Sequence, residues 1–189
     1  KANLSSQIKL DRTPKRYYRP ANAFERTALT RFEKIQTEIY ESTEEGSSQI
    51  AKEVSDLIRN RKKEGRFCVM ALGSGPGTHS VYKELVRLHR DEKLSFSNVI
   101  VFNISEFYPL DETAPGTTRI LQETLLNQVD IDPTNVFTPR GTTEKEGVFE
   151  FCKEYEKSIE NYGGLDLALL EIGPLGNLGQ IGRASCRER

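Results

Sequence analysis

Three glycines fall within five residues at the end of an apolar run, in the segment GSGPG that begins at Gly73. Glycine lets a backbone turn tightly and approach a ligand closely. A helix that begins directly after such a turn offers unpaired N–H groups and the positive end of its dipole. The segment predicts a phosphate-binding loop in which Ser74, Gly75, Gly77 and Thr78 are the binding residues. A tight turn without a ligand is the alternative.

Two common nucleotide-binding motifs do not fit this loop. The motif G-x-x-x-x-G-K-[ST] needs a lysine that is absent, and G-x-G-x-x-G needs a third glycine that is not at the required spacing. We therefore expect the loop to bind a small phosphate monoester. His79, in the first turn of the following helix, could contact the phosphate or lie on the helix surface.

Two later polar segments, FNISEFYPL and IGPLGNLG, follow apolar runs and could complete a site. Glu106 is either a site carboxylate or a solvated residue, and Asn177 could bond a substrate hydroxyl. Backbone amides of the glycine-rich segment could bind an oxyanion. The candidate residues in these two segments are Asn103, Ser105, Glu106, Gly173, Gly176 and Asn177.

Three apolar runs must position these segments, at residues 66–72, 98–103 and 165–173. Such runs are typical of strands that are buried on both faces. Because amphipathic patterns alternate with the runs, we predict an α/β fold with an open, mostly parallel sheet and helices on both faces, incomplete at the C-terminus. Ligands of such sheets lie beyond the carboxyl ends of the strands, where the three polar segments would meet.

Four amphipathic patterns predict the helices. The first follows Ser42-x-x-Glu45, which has the spacing of a capping box, and stops at Gly65. The fourth follows Thr143-x-x-Glu146, which could cap it in the same way. In chain order, the first face contains Ile50, Val54, Leu57 and Ile58; the second contains Val81, Leu85 and Leu88; the third helix covers residues 118–129; and the fourth face contains Val148, Cys152, Tyr155 and Ile159.

The composition excludes several classes of partner. The net charge is −1 and the basic residues are scattered, so we expect no nucleic acid to bind. No apolar run is long enough to cross a bilayer, so we expect no membrane. Cys68, Cys152 and Cys186 show no disulfide framework and no metal-ligand spacing, which favours a cytoplasmic protein without a metal. We expect Cys68 and Cys152 to be small core residues.

The two ends of the chain differ from the middle. We predict an N-terminal arm and helix over residues 1–38, with an apolar helical face, and one α/β domain over residues 39–180. Residues 181–189, IGRASCRER, have no apolar period and can be encoded by a sequencing adapter read in frame. We therefore expect a non-native tail there and a native chain that continues further. A source gene that keeps this tail and codes beyond it would contradict that expectation.

Three segments, VYKELVRLH, VDIDPTNVF and YGGLDLALLEIG, occur in an order and at spacings that resemble the glucosamine-6-phosphate deaminase/isomerase family. The wider superfamily of that family includes 6-phosphogluconolactonase, and the resemblance runs from about Ile39 to Gly179. It implies a Rossmann-like fold, a hexosamine 6-phosphate ligand, and an aldose-to-ketose isomerisation coupled to ammonia release. It also implies that no cofactor is needed and that the full-length protein could be a homo-oligomer.

The site residues that this resemblance implies are changed at several positions. The family's phosphate loop falls on residues 74–78, where Pro76 has no N–H to donate. The aspartate that moves a proton between C1 and C2 corresponds to Ser105, and a second aspartate and a ring-opening histidine correspond to Leu175 and Asn177. A serine cannot replace a carboxylate base near neutral pH without an activating base of its own.

Three functions stay open from the sequence. The first is a deaminase-like enzyme with a divergent catalytic site, in which Glu106 replaces the lost base beside Ser105 and Asn177. The second is a non-catalytic sensor or scaffold that binds a sugar phosphate. The third is a dinucleotide-binding oxidoreductase domain in which Glu106 holds a ribose, although the glycine spacing disfavours it.

Overall fold

The structure is a computed structural model that describes residue 22 and residues 37–110, 115–173 and 178–179. The N-terminal helix predicted before residue 37 and the tail at 181–189 lie outside these residues. The chain divides into two units, Lys1–Glu41 and Ser42–Arg189, and the second contains every element described below. Within the described ranges, no helix combines the length and the apolar character that crossing a membrane requires.

Four parallel strands form the sheet, in the spatial order β3-β2-β1-β4. Their bounds are β1 Cys68–Leu72, β2 Val99–Asn103, β3 Val136–Phe137 and β4 Leu167–Leu169. Leu72, the last residue of β1, pairs with Asn103 in β2 and with Leu169 in β4. The predicted parallel α/β fold is confirmed, and the three polar segments leave the sheet at the same edge.

Four α-helices accompany the strands: α1 Thr43–Lys63, α2 His79–Glu92, α3 Thr117–Thr124 and α4 Val148–Asn161. The predicted cap of α1 is confirmed, because the Ser42 hydroxyl oxygen accepts the N–H of Glu45 at 3.1 Å. The chain leaves α1 through Gly65, whose φ of +68° suits glycine.

The sheet is covered on both faces, as the apolar runs predict. On one face, Val54 and Ile58 of α1 and Leu85 of α2 pack with alternate strand residues such as Met70. On the other face, residues of α4 cover a second cluster. The members of that cluster are Val69, Ile100, Phe102, Phe137, Tyr155 and Ile159.

Several local predictions are wrong. Ile50 is exposed, and Ala51 takes its place on the buried face of α1. Cys152 is exposed on α4, although Cys68 is buried as expected. Thr143 does not cap α4, because its hydroxyl bonds the carbonyl of Arg140 and a 3₁₀ turn precedes the helix.

Strand β4, which the third apolar run predicted, is shorter and more exposed than expected. Leu167 and Leu169 are half-buried and Ala168 is exposed, because β4 lies at the edge of the described sheet and pairs only with β1. The two-residue strand β3 was not predicted, since Val136 and Phe137 stand alone between polar residues.

A charged contact links α1 to both β1 and β4. The Arg61 guanidinium donates to Oδ1 of Asp166 through Nε at 2.9 Å and lies within 2.7 Å of it through Nη2. Oδ2 of Asp166 accepts the N–H of Val69 at 3.0 Å. Partial burial opposes ionisation of Asp166, but these hydrogen bonds outweigh it, so the pKa lies below its usual value. The ionised carboxylate therefore stabilises the fold.

We expect Asp166→Asn to lower Tm by about 3–10 °C, because Arg61 loses its charged partner on β4's side and keeps, among the described residues, only its pair with Glu64. A lowered folded-state pKa gives stability that is complete above the unfolded pKa of about 3.9 and is lost as the pH falls through the folded value. The Tm difference from the unchanged protein should therefore be constant from about pH 7 to pH 5 and shrink below about pH 4. Thermal unfolding followed by circular dichroism measures it.

Asp56→Asn is the matched control, because Asp56 pairs with Lys52 at 2.8 Å on the exposed side of α1. Exposed pairs of this kind contribute little, so its Tm should change by about 2 °C or less. Equal losses for the two variants would contradict the assigned role of Asp166.

The two described thiols should differ in reactivity. Burial is the main cause that raises the pKa of Cys68 to about 12, so little thiolate forms near neutral pH. In a Cys186→Ser background, we expect a thiol reagent to modify one group, Cys152, in the folded protein and two in denaturant. Cys152→Ser should abolish the folded-state reaction, and residual labelling of Cys68 would contradict its buried position.

Candidate functional site

A cavity of about 200 Å³ opens at the carboxyl ends of β1, β2 and β4. Ser74 and Gly75 line it after β1, Ser105 after β2, and Glu171 after β4. Ile104 and Leu169 give it apolar walls. Three segments far apart in the sequence therefore meet, as expected from parallel strands.

Two buried hydroxyl groups hold the glycine loop from behind. Thr78 donates to the carbonyl of Gly75 at 2.8 Å, and Tyr82 donates to the carbonyl of Gly73. Both side chains are buried, so their hydroxyls hold loop carbonyls inside the protein. Burial raises the pKa of Tyr82, helped by the nearby charge of Glu171, so the phenol stays protonated. Thr78 therefore positions the loop in this structure.

The loop amides are only partly used within the protein. Pro76 has none, and the N–H of Thr78 bonds the carbonyl of Gly75 at 3.1 Å in a 3₁₀ turn that leads into α2. The N–H of Gly77 donates to Oε2 of Glu171 at 3.1 Å. The amides of Ser74 and Gly75 make no hydrogen bond within the described part of the chain. An oxyanion in the cavity could use both.

Glu171 was missed in the sequence and lies against the predicted loop. A Cβ added at Gly75 would lie 1.6 Å from Oε1 of Glu171, so any other residue there would force this carboxylate to move. The residue was hidden because the apolar run was expected to extend through residue 173, whereas β4 ends at Leu169. The signal available was a charged residue between Leu170 and Ile172, near the carboxyl end of the apolar run.

Glu106 lies at the start of α3. Its Oε1 accepts the N–H of Thr117 at 2.7 Å and of Phe107 at 2.9 Å, and its Oε2 accepts the N–H of Thr118 at 3.0 Å. Desolvation opposes ionisation, but these bonds outweigh it and hold the pKa below its usual value. The carboxylate caps the helix, and its lowered pKa makes it a weaker base.

Asn103 and Ser105 have different environments at the end of β2. Asn103 is fully buried, and its Nδ2 donates to the Thr118 hydroxyl at 3.1 Å, while Oδ1 has no partner among the described residues. Ser105 lines the cavity with its neighbour Ile104. Of these two candidates, the structure therefore brings only Ser105 to the cavity wall.

The third polar segment is described only at its two ends. Gly173 is half-buried, while Gly176 and Asn177, with Leu175 between Gly173 and Asn177, lie outside the described residues. The N–H of Gly179 donates to the carbonyl of Glu171 at 2.8 Å, so the segment returns to the end of β4.

Two other sequence expectations concern the surroundings of the cavity. His79 is exposed at the first position of α2 and is not among the residues that line the cavity. In the part of the chain that the structure describes, no three His, Cys, Asp or Glu side chains are grouped to hold a metal ion.

Comparison with known proteins places these features in a family context. The model of the family "Glucosamine-6-phosphate isomerases/6-phosphogluconolactonase" matches residues 35–176. A glucosamine-6-phosphate deaminase-like protein of Bacteroides thetaiotaomicron is 55% identical over 179 residues, which cover 94% of this chain and 27% of the relative. The glucosamine-6-phosphate deaminase of Clostridium botulinum strain Langeland is 37% identical over 132 residues, 69% of this chain and 53% of the enzyme. The chain thus spans between a quarter and about half of these relatives.

Solved structures show the same fold. A monomeric glucosamine-6-phosphate deaminase superposes with a TM-score of 0.70 at 27% identity, over 77% of this chain and 58% of the other. A 6-phosphogluconolactonase from Plasmodium vivax gives a TM-score of 0.61 at 20% identity, over 72% of this chain and 47% of the other. The second likeness concerns the fold alone.

We expect Glu106→Gln to destabilise the start of α3. The amide side chain loses the charge that attracts three backbone N–H groups, at a cost of about 1–2 kcal/mol. Hydrogen exchange at the amides of Thr117 and Thr118 should become faster, and Tm should fall. Glu123→Gln is the control on the same helix, because Glu123 is exposed and pairs with Arg119. Unchanged exchange at both amides would contradict the capping role.

Proposed function

Because this chain belongs to the family of glucosamine-6-phosphate isomerases and 6-phosphogluconolactonases, we propose that it binds a hexosamine 6-phosphate at the carboxyl ends of its parallel strands. The observation that carries the proposal is the glycine loop after β1. Its Ser74 and Gly75 amides have no hydrogen-bond partner among the described residues, and its Gly77 N–H holds a carboxylate of the chain itself. A loop that binds a carboxylate has donors suited to a phosphate oxygen.

In the proposed complex, the phosphate accepts hydrogen bonds from the amides of Ser74, Gly75 and Gly77. The Ser74 hydroxyl adds a donor in this proposal, since Ser74 is one of the residues that line the cavity. Thr78 supports the loop from behind. The sugar lies toward Ser105 and the segment that contains Gly173, Gly176 and Asn177, and Asn103 stabilises this wall.

We further propose that the protein binds this ligand with little isomerisation. General acid–base groups contribute about 10² to 10⁴-fold each. Ser105 has no carboxylate, and Glu106 already accepts three backbone N–H groups with a lowered pKa. A sugar-phosphate sensor or scaffold is therefore favoured over an enzyme in which Glu106 is the base.

A dinucleotide-binding function is less well supported. It needs an acidic side chain at the end of β2 that is free to bond a ribose, whereas Glu106 is engaged at the start of α3. A change in nicotinamide fluorescence on mixing would support this alternative.

From the cysteines and the family, we also propose a cytoplasmic protein, able to form a homo-oligomer when full length, with its sugar-phosphate domain at residues 39–180.

We expect calorimetry to show binding of glucosamine 6-phosphate to the protein. Formation of fructose 6-phosphate and ammonia should be at least about 10²-fold slower than in a family member with aspartate at the position of Ser105. Equal turnover would contradict the non-catalytic proposal, and no binding would contradict the proposed ligand.

Ser74→Ala tests where the phosphate binds. Loss of one hydroxyl donor to a charged group should weaken binding about tenfold. Ser158→Ala is the matched control, because the Ser158 hydroxyl bonds the carbonyl of Glu154 within α4 and Ser158 does not line the cavity. Equal affinities of the two variants would place the phosphate elsewhere.

A further inference from the structure

The carboxylate of Glu171 occupies the place that the proposed function gives to the phosphate. Its Oε2 accepts the N–H of Gly77 at 3.1 Å. It also fills the space above both glycines, because an added Cβ would lie 1.6 Å from Oε1 at Gly75 and 3.2 Å from Oε2 at Gly77. A phosphate oxygen on this amide and the carboxylate cannot occupy the same position.

The backbone of Glu171 is fixed, whereas its carboxylate has one described partner. Leu169 pairs with Leu72 in the sheet, and the carbonyl of Glu171 accepts the N–H of Gly179 at 2.8 Å. Among the described residues, the carboxylate accepts only the N–H of Gly77, and no Lys, Arg or His side chain there forms an ion pair with it. Rotation of the side chain would therefore release the loop at the cost of one hydrogen bond.

We infer that Glu171 is a specificity-determining residue that selects phosphorylated amino sugars against ligands with more negative charge. This inference rests on the proposed function. A bound phosphate must displace the carboxylate from Gly77 and then remain close to its charge. Two negative charges that lie close together in a partly desolvated site repel each other substantially. An ammonium group on the ligand offsets it, whereas a second carboxylate, as in a phosphorylated aldonic acid, adds to it.

The test compares the unchanged protein with Glu171→Gln by calorimetry, using glucosamine 6-phosphate, 6-phosphogluconate and glucosamine as probes. Gln keeps the shape of the side chain and removes its charge. We expect the substitution to raise the affinity for 6-phosphogluconate about tenfold or more, and the affinity for glucosamine 6-phosphate by a smaller factor. Glucosamine, which has no phosphate, should not bind more tightly. Glu53→Gln, on the exposed side of α1, should leave all three affinities unchanged.

The outcomes separate this inference from the proposed function. Suppose that the unchanged protein binds glucosamine 6-phosphate, and that Glu171→Gln binds each phosphorylated ligand no more tightly than the unchanged protein does. The inference is then overturned and the proposed function stands. If neither protein binds any phosphorylated probe, both are overturned. If only Glu171→Gln binds the phosphorylated probes, Glu171 blocks the site without selecting a ligand, and both the inference and the proposed ligand are overturned. Amide resonances remote from residue 171 that keep their positions show that the variant is folded, and the Gly77 amide resonance should shift on substitution and on ligand binding.

Discussion

The register of β1 with its two neighbours determines where the site forms. Leu72 pairs with Asn103 on one side and with Leu169 on the other, so all three strands end at the same level. The glycine loop, the segment around Ser105 and the segment that contains Glu171 therefore begin side by side. A slip of one residue in either pairing would turn the side chains of that strand to the opposite face and separate these groups.

At this edge of the sheet, two glutamate carboxylates accept backbone N–H groups near the N-terminal ends of helices. Helices α2 and α3 both direct unpaired amides and a positive dipole end toward it. Glu106 accepts two backbone N–H groups at the start of α3 and that of Phe107, while Glu171 accepts one in the loop before α2. The partners of Glu106 are at most 12 residues away in the sequence, whereas Glu171 and its partner Gly77 are 94 residues apart. The more weakly held carboxylate is the one a ligand can replace.

The sequence predicted what depends on local patterns. Apolar runs located β1 and β2, and the cap of α1 was visible because Ser42 and Glu45 are close in sequence. The role of Glu106 was not visible, because its partners on α3 lie 11 and 12 residues later, beyond a connecting segment. Glu171 was absorbed into an apolar run. The exposure of Cys152 depends on how α4 rotates against the sheet, which a periodic pattern leaves open by about one position.

The Tyr155 hydroxyl has a consequence for the edge at β3. It lies 2.9 Å from the carbonyl oxygen of Asn103 and 3.0 Å from that of Phe137, so one phenol spans the last residues of neighbouring strands. Burial raises the pKa of this phenol, which keeps its proton in alkaline solution. A side chain of α4 thus supplements the backbone pairing of β2 with β3, which consists of two residue pairs. This allows a strand too short to persist by itself to remain in the sheet.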